Sequence, residues 1–161
     1  MRKIDTLLAE YAVSHQTKLN IAIHYICVPL IFFSLIGLLA SIPIPNVITN
    51  ALPVFLMPYA HLGTIVLIFG LFYYLKLSKT LFAGMLLFSV IVLLAINYVS
   101  LFIGIPLWLS MLIIFVLAWV GQFIGHNHEG KKPSFLKDLQ FLMIGPAWTM
   151  SHLFDALNIK F

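Results

Sequence analysis

Charge is what this sequence has least of. Asp, Glu, Lys and Arg make up 9% of its 161 residues and hydrophobic residues 62%, where a soluble domain has roughly 25% and roughly 45–50%. None of the four charged types occurs between Lys18 and Lys76, or between Lys79 and Glu129, and each gap can hold two membrane crossings of about 20 residues. A soluble domain is excluded. So is a nucleic-acid-binding one, because the net charge of +4 comes from a few cations at the ends of apolar runs, where they report topology and contact with anionic lipid. Cysteine is nearly absent as well: Cys27 stands alone in an apolar run, which rules out an intramolecular disulfide and leaves an inert buried thiol. Without a glycine-rich phosphate loop, a serine elbow or a cysteine pair at zinc spacing, nucleotide chemistry, serine hydrolysis and structural zinc have no support. The basic start is not followed directly by an apolar core, which argues against a cleaved signal peptide.

What is present predicts an all-α, polytopic membrane bundle forming a single domain over residues 1–161. Ile4, Leu7, Leu8 and Tyr11 recur at helical spacing opposite Asp5 and Glu10, which predicts an interfacial helix over about 5–14 acting as an anchor. Four spans follow, at roughly 19–40, 54–75, 81–103 and 107–125, with a kink expected at Pro29. The last apolar stretch, 139–157, is interrupted by Gly145-Pro146 and carries His152 and Asp155, so it reads as a re-entrant or interfacial hairpin rather than a fifth span. Arg2, Lys3, Lys18, Lys76, Lys79, Lys131, Lys132 and Lys137 then share one side, cytoplasmic by the positive-inside tendency. That places the protein in the inner membrane of a bacterium or the endoplasmic reticulum of a eukaryote, with its N-terminus and polar clusters on the cytoplasmic face.

Two polar clusters stand out against this background. The first is His15, Asn20 and His24, where Asn20 and His24 share a helical face and His15 joins them only if the chain turns between residues 16 and 20. The second ends the fourth span, where Gln122, His126 and Glu129 recur at spacings of four and three on one face. Two histidines and a carboxylate are a familiar holder of oxygen-activating iron, so His15, His24, His126 and Glu129 are candidate metal ligands. Glu129 and Gln122 are the candidate catalytic residues, Gln122 by orienting a ligand. His128 and His152 are weaker candidates, and His61 reads as packing at the opposite face. The bland alternatives are interfacial histidines, an ion pair of Glu129 with Lys131 or Lys132, and a Gln122 that glues spans together.

These residues resemble a known family. His15, Asn20 and His24 with Pro29 just after, then WVGQFIGH ending at His126, Glu129, Lys132-Pro133, Asp138 and Gly145-Pro146, look like the small membrane proteins typified by the fungal 2-hydroxy fatty acid dioxygenase. The resemblance implies Fe(II)-dependent alpha-oxidation, in which a long-chain 2-hydroxy fatty acid and molecular oxygen give the fatty acid one carbon shorter plus carbon dioxide. It also implies His15, His24 and His126 as metal-site histidines, with Glu129 as a further ligand or acid/base group. At one point the spacing departs, since the family's glutamate lies one residue further from the histidine than Glu129 does from His126. A surface site floored by apolar spans suits such a substrate, its tail left in membrane lipid and its oxygens at the metal. The rival readings are a non-enzymatic haem or metal carrier, and a structural or transport membrane protein.

Overall fold

The computed structural model describes residues 2–130 and 141–161. Lys131, Lys132, Pro133, Lys137, Asp138 and the first two residues of the 139–157 stretch lie outside them. The described chain is all-helical: α1 (Lys3–Ala12), α2 (Lys18–Ala40), the short α3 (Asn46–Asn50), a 3₁₀ segment (Val54–Tyr59), α4 (Leu62–Leu77), α5 (Lys79–Phe102), α6 (Leu107–His128) and α7 (Ile144–Ala156). Three of these helices, α2, α5 and α6, are long and apolar enough to cross a bilayer. The chain is an integral membrane protein.

The first, third and fourth expected spans correspond to α2, α5 and α6 within a few residues. The second does not: 54–75 is split, and α4 keeps only 16 residues, about 24 Å against a hydrocarbon core of about 30 Å. Proline is the physical reason. Pro53 opens the 3₁₀ segment and Pro58 lies within it, and neither ring offers a backbone donor to a continuous helix. His61 then starts α4 afresh, its Nδ1 accepting from the Thr64 N–H at 3.2 Å. Pro146 likewise starts a helix rather than interrupting one, since it sits in the first turn of α7, where an amide donor would have no intrahelical partner. Pro29 lies inside α2, which continues through it.

The apolar stripe of α1 does not face outward as an anchor. Ile4 and Tyr11 are buried; Ile4 packs into a core with Tyr74, Leu81, Met85, Ala147 and Phe154. The driving force is the same burial of apolar surface, satisfied by α4, α5 and α7 instead of by lipid.

The bundle is built around α2, which touches α4, α5, α6 and α7. Close approaches fix its direction against α6: Gly37 meets Met111, Gly121 meets Cys27 and Gly125 meets Asn20, so the two helices run antiparallel. A Cβ on Gly121 would lie 2.6 Å from the Cys27 Sγ, a contact that only a side chain ending at hydrogen permits. Gly63 on Ile36 gives α4 the same antiparallel sense. The start of α2 and the end of α6 therefore lie at one end of the bundle, and His61 lies at the other.

Candidate metal centre

The site forms where three local structures end. α1 stops at Ala12, and the turn that follows carries His15 before Thr17 caps α2 by accepting from the Asn20 N–H. His24 comes one turn later on the face shared with Asn20. α6 runs three residues past its expected end, so His126 lies within the helix, which closes at Glu129 and Gly130. Gly130 adopts φ 68°, the left-handed conformation that ends helices and that glycine takes without Cβ strain.

His15, His24 and His126 converge. Ring centroids are 4.2 Å apart for His15 and His24, 4.8 Å for His24 and His126, and 5.1 Å for His15 and His126. One nitrogen from each lies within 4.8 Å of the others. All three residues are buried, His24 completely.

Tautomers follow from the backbone. The His15 Nδ1 lies 2.7 Å from the Tyr11 carbonyl and the His24 Nδ1 lies 2.9 Å from the Asn20 carbonyl. A carbonyl oxygen only accepts, so both Nδ1 atoms carry the proton and donate it. Each Nε2 is left with a lone pair, and each is buried with no hydrogen-bond partner. Metal-ligating histidines show this arrangement, the second nitrogen fixed by a carbonyl so that the first points its lone pair at the ion. Burial pushes the His15 imidazole down to about 4; the Tyr11 carbonyl opposes this, the His126 ring adds to it, and Glu129 opposes it. The ring is therefore neutral at pH 7, the form that ligates. Three imidazoles suit iron, zinc, copper or nickel, and a three-histidine set leaves coordination positions open.

Glu129 does not join the three histidines. Its Oε1 accepts from the Gln16 N–H at 2.8 Å, and its Oε2 accepts from the Thr17 N–H at 2.9 Å, the Thr17 hydroxyl at 2.7 Å and the Asn20 Nδ2 at 3.1 Å. Burial alone would raise its pKa, but the bonds from Thr17, Gln16 and Asn20 outweigh that and hold the carboxylate at about 2. An anion here also meets the positive end of the α2 dipole. Glu129 thus ties the end of α6 to the start of α2, and through Asn20 to the carbonyl that orients His24.

The remaining candidates are placed apart. Gln122 is buried one turn before His126 and lines a narrow gap with Tyr11, Trp119 and Gly145. His128 is exposed and faces away from the group. His152 is separated from the three by Trp148, whose ring lies 5.4 Å from His15 and 4.4 Å from His152. His61 caps α4 at the opposite end, as its position in the sequence implied. Two residues gained a place beside the site that the sequence had not given them. Tyr11 stacks on His15 at 4.3 Å and 14°, which its spacing of four from His15 could have signalled. Trp148 is 133 positions from His15 by the numbering, and only tertiary packing brings the two rings to 5.4 Å.

No curated protein and no solved structure matches the chain. One family does, over residues 1–157. By that match the chain belongs to the 2-hydroxy-palmitic acid dioxygenase Mpo1-like family.

Proposed function

We propose that the protein is an Fe(II)-dependent dioxygenase that converts a long-chain 2-hydroxy fatty acid and molecular oxygen into the fatty acid one carbon shorter, carbon dioxide and water. This stoichiometry balances without an outside reductant, because the four electrons that dioxygen takes come from the 2-hydroxy acid. The observation that carries the reading is the pair of buried, unpartnered Nε2 lone pairs on His15 and His24, converging with His126. The family is named for a dioxygenase, and among the metals that the imidazoles would suit we assign iron as the one that commonly activates oxygen.

His15, His24 and His126 would hold the ion, which when bound would supply Lewis-acid and oxygen-activating chemistry. The chain's own part is orientation and exclusion of water. Tyr11 and Asn20 carbonyls aim two imidazoles, and the Tyr11 and Trp148 rings cover His15. Glu129 we assign to positioning rather than ligation, because both its oxygens are engaged by α2 and the turn before it. Gln122, on the His126 face, remains our candidate for orienting a group at the site. The site lies near the end of the bundle that carries Lys18, Lys76 and Lys79. We place that end at the cytoplasmic face, where a carboxylate head can reach it while the tail stays apolar.

The test is elemental analysis of the detergent-purified protein together with oxygen uptake on 2-hydroxyhexadecanoic acid. Near-stoichiometric iron, lost in His24→Ala and in His126→Ala, with pentadecanoic acid as product, is the expected result. Absence of any transition metal after anaerobic reconstitution would sink the reading, and a haem absorption band would replace it with the carrier.

A further inference from the structure

Beside the three histidines, across Trp148, lies a cavity of about 490 Å³ between α2, α5 and α7. Its walls include Tyr25, Pro29, Phe88, Met150, Leu153 and Ala156. The volume falls within the roughly 300–1,000 Å³ typical of small-molecule sites. Nothing in the metal centre accounts for it.

Polar groups on its wall are few and unequally committed. The Thr149 hydroxyl donates to the Gly145 carbonyl at 3.2 Å, whereas the His152 Nε2 is buried with no partner. His152 touches Trp148 and Tyr25, and Trp148 in turn touches His15. The cavity's uncommitted nitrogen therefore stands at the end facing the metal centre. Depth along the helices agrees. At about 1.5 Å per residue, Tyr25 lies about 10 Å into α2, Pro29 about 16 Å and Phe88 about 13 Å into α5, counted from the ends that carry Lys18 and Lys79. Along α2 and α5 the cavity thus leads from the level of His24 toward the middle of the bundle, where its wall is apolar apart from Thr149, whose hydroxyl is already committed to the Gly145 carbonyl.

We propose that this cavity receives the hydrocarbon tail of the 2-hydroxy acid, with His152 meeting the polar head where it turns toward His15. The assignment rests on the dioxygenase reading for the identity of the head group. A largely apolar wall with an uncommitted histidine nitrogen toward the site binds a long chain through its methylenes and sets which lengths fit. Chain-length selection is then a property of α2, α5 and α7, separate from the ligands of the ion.

Two measurements test this. The first compares oxygen uptake on 2-hydroxyhexadecanoic and 2-hydroxyoctanoic acids for the parent, Ala156→Trp, which fills the cavity, and Leu153→Ala, which enlarges it. Iron content should match the parent in both variants. The ratio of long-chain to short-chain turnover should fall by about tenfold in Ala156→Trp, the effect of excluding roughly two methylenes, and should not fall in Leu153→Ala. The second uses 2-hydroxyhexadecanoic acid carrying a diazirine near its far end, which should crosslink to Phe88, Met150 or Leu153. Iron-replete Ala156→Trp with an unchanged ratio, or crosslinks confined to other faces of α5 and α6, would overturn the assignment. If no 2-hydroxy acid is consumed by the iron-loaded parent, the dioxygenase reading fails, and the crosslink sites alone decide whether the cavity holds an acyl chain.

Discussion

His24, about two turns into α2, and His61, the N-cap of α4, are both buried histidines toward opposite ends of the bundle, and they use the same ring atom in opposite ways. His61 accepts through Nδ1 from the Thr64 amide, so its lone pair is consumed in starting α4. His24 donates through Nδ1 to the Asn20 carbonyl, which leaves the Nε2 lone pair free and buried. What a buried histidine can do is thus decided by which backbone group it meets: an amide makes it a cap, a carbonyl leaves its other nitrogen able to ligate. The surroundings follow the same division. His24 has two other imidazoles within reach, and His61 has none among the described residues.

Replacing each histidine by alanine gives the sharpest separation. His24→Ala should abolish iron retention and oxygen uptake, while His61→Ala should keep the metal and lose about 1 kcal/mol of stability, the worth of a helix cap. Elemental analysis and thermal unfolding of the two variants read both effects. Equal iron loss in the two would show that the ends of the bundle are not independent.

A smaller loss is expected from the link between α6 and α2. Glu129→Ala removes the acceptor shared by Gln16, Thr17 and Asn20, so iron affinity should drop roughly 10- to 100-fold, as for other groups that orient ligands. Chelator competition measures it. Glu129→Gln should fall between alanine and the parent, because an amide keeps one accepting oxygen and adds a donor where donors already point. A complete loss of bound iron in Glu129→Gln would instead favour direct ligation.

Next come two glycines. A Cβ on Gly125 would collide with the Asn20 side chain, whereas Gly104, in the turn before α6, has open space. Gly125→Ala should cost about 1–3 kcal/mol through overpacking and weaken iron binding by shifting Asn20, while Gly104→Ala should leave both unchanged. Melting temperature and iron content of the pair check this.

The mildest prediction concerns pH in the metal-free protein. Burial depresses His15 to about 4, so the stability linked to its neutral form is full above about 6.5 and is lost as pH falls toward 4. Glu129 is depressed to about 2 from 4.5, so its contribution is full above about 4.5 and is lost as pH falls toward 2. Thermal midpoints between pH 7 and 3 should therefore decline through two windows, and Glu129→Gln should remove the lower one.

Sequence alone determined the class of this protein and singled out the three histidines that the fold brings together. Two stretches without a single charge can only be stable in lipid, whatever their partners, because the cost of solvating that much apolar surface does not depend on the fold. The pairing of Asn20 with His24 was legible too, since a spacing of four places residues on one face of any α-helix. So was the need for a turn after His15, and the chain does turn there.

Tertiary structure decided the rest. The second span broke at residues whose cyclic side chains were visible, yet whether α4 would restart at His61 depended on a cap that forms only with Thr64 in place. Glu129 shares the His126 face in the sequence pattern, but the amides at the start of α2 claim its carboxylate, and only packing could bring those donors to it. The stripe of α1 could have faced lipid or protein with similar gain, so its burial against α7 was not fixed by periodicity. Trp148 and the cavity beside it exist because α7 folds back onto α2 and α5, a long-range contact that no local pattern encodes.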